Sequence, residues 1–117
     1  MSTPSSAPAN ITLRSVGPED EEFIIDVYAS TRAEEMKLVP WNEEQQQMFI
    51  RAQFGAQKNH YAQKYPAATH DIILADGRAV GRLYVARMDR EIRIVDITVL
   101  PAERNSGIGS YLIKQIL

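Results

Sequence analysis

The chain has 117 residues, 44% apolar and 24% charged, and its 13 basic and 15 acidic residues leave a net charge of −2. That is enough sequence for one domain, or part of one, with a real core, and the charge balance argues against a dedicated nucleic-acid binder. The absence of cysteine rules out disulfides, thiolate metal sites and a cysteine nucleophile, and two histidines, His60 and His70, are too few for a nitrogen-rich metal centre, so no metal is expected.

The leading MSTPSSAPAN is rich in Ser, Pro and Ala, and residues 1–10 read as a disordered tail. It has neither the basic start nor the apolar core of a secretory signal, and no apolar run reaches the roughly 20 residues of a membrane span. A cytoplasmic protein with no membrane partner is the expectation.

Ile11 to Val16 alternates as a short strand. Gly17-Pro18 punctuates it, and Pro18 followed by four acidic residues suits a helix start; the apolar spacing of Phe23, Ile24, Val27, Tyr28 and Thr31 predicts a helix over about 18–35. Val39-Pro40-Trp41 breaks it. Asn42 and Gln45 form a capping-box pattern for a second helix over 43–64, which Pro66 ends. On that helix Ile50, Phe54, Tyr61 and Tyr65 are expected on one stripe, with Gln53, Gln57 and His60 on a polar neighbour.

The period then switches to two. Asp71–Ala75 and Ala79–Arg87 flank Asp76-Gly77, a dipeptide suited to a type I′ hairpin turn. A polar tetrapeptide leads to a further strand over 92–100. Alternation on that strand puts Asp96 with Ile92, Ile94 and Thr98, opposite Arg93, Val95, Ile97 and Val99. Gly109 to Leu117 closes the chain as a helix with a broad apolar face. The order is β-α-α-β-β-β-α, an α+β (α/β) arrangement with a mixed, mostly antiparallel sheet.

Between the last strand and the last helix stands R-x-x-G-x-G, ending RNSGIGS. Unpaired N–H groups at a helix start, with Gly107 and Gly109 expected in left-handed angles, make either an anion cradle or simply a tight strand-to-helix turn. A Rossmann loop wants a third glycine where Leu112 stands, and a Walker loop wants Gly-Lys-Ser/Thr; neither is present. A small phosphate-ligand binder is a further, weaker reading of the same loop.

The segment IRIVDITVLPAERNSGIGSYLIKQIL, together with the element order before it, resembles the acetyl-CoA-binding core of the GCN5-related N-acetyltransferase (GNAT) superfamily over residues 11–117. The resemblance implies an acyl-CoA N-acyltransferase-like fold and an acetyl-CoA-dependent N-acetyltransferase with a small-molecule or peptide amine as acceptor. It implies that Arg104, Asn105, Ser106, Gly107, Ile108, Gly109 and Ser110 hold the pyrophosphate. It also implies that Ile97, Thr98 and Val99 bind the pantetheine arm through their backbone. The family's remaining strands and its fourth helix have no counterpart here, so an incomplete domain, cut after the third helix and impaired in catalysis, is expected.

A glutamate used as base by some members aligns with Arg93, which cannot act so. Asp96 is the nearest carboxylate: a base or amine-recognising group, or else a strand carboxylate paired with an arginine such as Arg82. Trp41, Gln57 and Tyr61 border the expected acceptor pocket, with core packing and solvation as the alternative; His70 reads as a loop residue. The competing function is a non-catalytic CoA-binding or pairing module, forming a homodimer through an exposed strand edge and the last helix.

Overall fold

A computed structural model describes residues 10–116. Strand β1 (Ile11–Ser15) leads through a 3-10 turn (Pro18–Asp20) into helix α1 (Glu21–Ser30). A short helix α2 (Ala33–Met36), the long helix α3 (Glu43–Lys64), strands β2 (Thr69–Ala75), β3 (Arg78–Met88) and β4 (Glu91–Val99), a 3-10 turn (Pro101–Glu103) and helix α4 (Ile108–Ile116) follow. The four strands form one antiparallel sheet in the order β1-β2-β3-β4. The expected α+β arrangement is therefore present. The tail expected over 1–10 falls mostly outside the described residues, and so does Leu117. Asn10 is tied down: its carbonyl accepts from Asp76 N–H at 2.9 Å, and its own N–H donates to the Asp76 carboxylate at 2.9 Å.

The helix expected over 18–35 is in fact three pieces. The hydroxyls of Ser30 and Thr31 donate back to the carbonyls of Val27 and Tyr28, both at 2.6 Å, and compete with continuation of the ladder. At the other end, the Asp20 carboxylate, nearly buried, accepts from Gly17 N–H and from both guanidinium nitrogens of Arg14. These donors hold its pKa down at about 2 and fix the turn that sends the chain from β1 into α1.

The capping box of α3 forms as the sequence predicts, with Gln45 N–H donating to Asn42 at 2.8 Å and the Gln45 amide oxygen accepting from Asn42 N–H at 3.0 Å. Helices α1 and α3 run antiparallel, stitched by Glu22–Arg51 and Glu21–Lys58 ion pairs. Their inward side chains, Ile24, Ile25, Tyr28, Ile50 and Phe54, meet Ile72 on one face of the sheet. On the other face Ile108 and Leu112 of α4 close over Ile73, Ala75, Val80, Leu83 and Val85. The sheet is thus sandwiched, with α1 and α3 on one side and α4 on the other.

Asp76 (φ 52°) and Gly77 (φ 81°) both take left-handed angles, as a type I′ turn requires. Two bulges then change the faces that simple alternation predicts. Ile73 faces Gly81 while Leu74 faces Ala79, leaving Val80 without a partner; Tyr84 faces Asp96 while Val85 faces Ile94, leaving Val95 without one. The second bulge moves Ile94 to the α4 face beside Ile97 and Val99, whereas Asp96 and Thr98 stay on the α1/α3 side. The expected grouping of Asp96 with Ile94 is corrected accordingly.

Gly81 sits where the backbones of β3 and β4 approach closely. A β-carbon there would run into the Thr98 carbonyl oxygen and lie 2.9 Å from Val99 Cα. Backbone cannot move aside as a flexible side chain can. Gly81→Ala is therefore expected to cost about 2 kcal/mol, read as a melting temperature lower by roughly 8 °C in a calorimetric scan.

Candidate functional site

Two clefts flank the β3–β4 pair. The first, of about 550 Å³, opens between the C-terminal end of β4, Thr31 at the end of α1, and the loop leading into α4. Ile97, Thr98, Val99, Arg104, Asn105, Gly107, Ile108, Gly109 and Ser110 all line it. Ser106 alone of the expected set does not line it; its hydroxyl turns away to the Glu103 carbonyl at 2.5 Å.

The loop differs from expectation in which residues are left-handed. Asn105 (φ 65°) and Gly107 (φ 84°) are; Gly109 already lies in the first turn of α4. The first bond of that helix runs from Tyr111 N–H to the Gly107 carbonyl at 3.0 Å. Among the described residues no acceptor faces the N–H groups of Asn105 to Ser110. All but that of Ser106 belong to residues that line the cleft, at the positive end of the helix dipole. A β-carbon on Gly107 or Gly109 would meet nothing within 4 Å. Gly109 is thus required neither by its own backbone angles nor by packing; what it leaves is open cleft.

Arg104 is exposed, and its Nε donates to the Val99 carbonyl at 3.1 Å, bracing the loop against the end of β4. Glu103, also on the cleft wall, is paired with Arg78 at 3.0 Å. Neither Glu103 nor Thr31 carried any sign of this position in the sequence. Strand β4 pairs only with β3 among the described residues, so its other backbone edge is open beside this cleft.

The second cleft, of about 410 Å³, lies between the turn after β1, the C-terminal half of α3 and the face of β2 and β3. Phe54, Tyr61, His70, Arg82 and Tyr84 form its inner wall, with Glu21 and Lys58 also on it. Tyr84 packs on His70 (ring centroids 4.8 Å apart) and on Tyr61 (5.1 Å). Burial lowers the His70 pKa to about 4, helped by the Arg82 charge, and burial raises that of the Tyr61 phenol.

Asp96 joins the two regions. Its Oδ2 accepts from Arg82 Nη2 at 2.6 Å and its Oδ1 from the Thr98 hydroxyl at 2.6 Å. Arg82 Nη2 also donates to Gln57 at 2.5 Å. Gln57 therefore does not lie on a polar stripe beside Gln53: it continues the inward line of Ile50 and Phe54, and its amide ends on a buried cation. Trp41 is not brought to this group. It is 37% exposed and packs on Phe49 near the start of α3, and Phe49 lies about 18 Å along the helix from Tyr61 at 1.5 Å per residue. His70 is a β2 residue, not a loop residue. The one signal that could have found this cleft is Arg82 itself, a lone charge inside the apolar run AVGRLYVA.

The pH consequence of His70 has a definite sign. Its folded pKa lies below the ordinary value of 6.5, so the unfolded chain binds the proton more readily. Its contribution is fully present above about pH 6.5 and declines as the pH falls toward 4. Urea titrations from pH 7 to pH 4 should show that decline, and His70→Leu should flatten it.

Among the described residues no helix is long and apolar enough to cross a membrane, and no cluster of three or more potential metal ligands occurs. Residues 24–117 match the family model described as Acetyltransferase (GNAT) family. The fold is similar to that of the PaiA N-acetyltransferase from Thermoplasma acidophilum in complex with coenzyme A: TM-score 0.61 at 19% identity, over 92% of this chain and 69% of that one. It is also similar to a GNAT family acetyltransferase from Brucella melitensis in complex with acetyl-CoA: TM-score 0.50, 20% identity, 92% and 66% coverage. A third likeness is to the N-acetylglutamate synthase from Neisseria gonorrhoeae complexed with coenzyme A and N-acetyl-glutamate: TM-score 0.53, 15% identity, 94% and 22% coverage. A search of the curated proteins finds no significant match. With the family model covering four-fifths of the sequence, the chain belongs to the GNAT acetyltransferase family.

Proposed function

We propose that this chain binds acetyl-CoA in the cleft at the end of β4 and takes part in transfer of the acetyl group to a primary amine by direct attack. The observation that carries this is the loop before α4. Its N–H groups from Asn105 to Ser110 have no acceptor among the described residues, and the missing side chain of Gly109 keeps their cleft clear. That donor set suits a pyrophosphate. The open edge of β4 at Ile97 to Val99 runs from it and suits an amide-bearing pantetheine arm, held as an added strand would be.

Acetyl-CoA supplies an activated thioester acyl group: the C–N bond forms as the C–S bond breaks, CoA leaves as the thiolate and the amine's proton passes to water. The chain's own part is to fix that group at the Val95 bulge, where the β4 backbone departs from regular pairing, and to offer backbone N–H for charge developing on the acyl oxygen. Asp96 is committed at both oxygens, so we read it as the anchor of β4 beside the bulge. Service as a base would first require release of one of those bonds. Gln57 and Tyr61 remain on the α1/α3 side of the same network as acceptor-facing candidates.

Calorimetric titration of the chain with acetyl-CoA tests the reading: saturable binding supports it, and no binding at roughly 1 mM overturns it. A second reading, a non-catalytic CoA-binding or pairing module, draws on the open β4 edge with Met88 and Ile92 exposed next to it, and on exposed Tyr111 and Ile113 of α4. Light scattering separates the two. A concentration-dependent dimer favours pairing; a monomer disfavours it.

A further inference from the structure

The loop cleft before α4 is poor in net charge for a site that would hold phosphates. Among the described residues that line it, only Glu103 and Arg104 are ionisable, and their formal charges cancel. An anion entering between them is drawn to one and repelled by the other. A third charge stands just outside. Arg78 does not line the cleft; it is the first residue of β3, directly after the Asp76-Gly77 turn, and its Nη2 lies 3.0 Å from Glu103 Oε1. The pair adds little to the fold, because the Arg78 side chain is 61% exposed. Nor does the loop depend on it for shape. Glu103 N–H already donates to the Leu100 carbonyl, the Ser106 hydroxyl to the Glu103 carbonyl and Arg104 Nε to the Val99 carbonyl.

We propose that Arg78 sets the affinity of this cleft for the phosphates of acetyl-CoA from outside its wall, by neutralising Glu103 and so leaving Arg104 as net positive charge. The inference rests on the acetyl-CoA reading of the cleft and adds to it a residue that does not line the site. The signs are definite. Together the three side chains carry one net positive charge; loss of Arg78 removes it, and loss of Glu103 doubles it. Affinity for an anion follows that order. A purely bracing role for the pair makes the opposite statement about Glu103: breaking the brace from either side weakens binding.

The test is calorimetric titration of acetyl-CoA into the 117-residue chain and its variants, at about 0.05 M and about 0.5 M sodium chloride. At low salt Arg78→Gln should bind about threefold more weakly and Glu103→Gln about threefold more tightly. The double variant should return to the affinity of the unchanged chain, and Arg78→Lys, which keeps the charge, should stay there. At high salt the differences should shrink, because screening then acts over a few ångströms. Thermal melts of all variants should lie close together, since the pair adds little to the fold. Weaker binding by Glu103→Gln, undiminished binding by Arg78→Gln, or differences that persist at high salt would overturn the proposal and leave the coenzyme reading standing. No binding by the unchanged chain at roughly 1 mM would remove the coenzyme reading and this proposal with it.

Discussion

Gly109→Val is expected to leave the fold intact and to reduce acetyl-CoA affinity at least tenfold. The residue lies in the first turn of α4 with ordinary helical angles, and its added Cβ has no neighbour within 4 Å. Replacing a helical glycine removes its excess backbone freedom, so stability should hold or rise slightly. The new side chain, however, adds bulk at the wall of the cleft that the loop lines. A tenfold loss corresponds to about 1.4 kcal/mol. Gly107→Ala is the contrasting variant, because φ 84° is unfavourable for any residue with a Cβ. It should lower the melting temperature as well as affinity, at a cost of about 1 kcal/mol or more. Paired calorimetry and thermal melts check both. Undiminished acetyl-CoA binding by folded Gly109→Val would remove the central support for the proposed coenzyme cleft.

The largest expected stability effect belongs to the Arg82–Asp96 pair. Asp96→Ala strands a guanidinium that is 3% exposed and leaves it only the Gln57 amide. Breaking a buried pair from one side costs about 3–5 kcal/mol. That is a large share of the roughly 5–15 kcal/mol available to a domain. Arg82→Met should cost less, because the Asp96 side chain, 15% exposed, keeps partial access to water and its bond from Thr98. The double variant Arg82→Met/Asp96→Ala should recover much of the loss, since no charge is then left unpaired. Urea denaturation of the four proteins in the cycle measures the coupling; simple additivity would show that the two groups do not act as a unit.

Features of this protein that depend on a few adjacent residues were legible in its sequence. The I′ turn at Asp76-Gly77, the capping box at Asn42 and Gln45, and the breaks at Pro40 and Pro66 each rest on backbone angles or hydrogen bonds within one turn of chain. The loop before α4 is of the same kind. All but one of the residues expected there do line a single cleft, and the exception, Ser106, turns away through a hydrogen bond only three residues long. The sandwich of helices around an antiparallel sheet likewise follows from element order and apolar spacing.

Where side chains point was decided elsewhere. The bulges at Val80 and Val95 depend on cross-strand register between residues that are not neighbours in sequence, and no local pattern announces them. One unpaired residue at Val95 sends Ile94 to the α4 face and leaves Asp96 with Arg82. Gln57 looked solvated because its own helix gave it polar neighbours; a cation on β3, 25 positions away, drew it inward. Trp41 looked like a pocket residue because sequence distance hides the length of α3. Sequence alone thus determined the kind of elements, their order and the glycine-bearing turn into α4, since these are settled by backbone preferences over a few residues. Only the tertiary structure decided which groups are buried together, because burial and pairing are set by strands and helices that meet from distant parts of the chain.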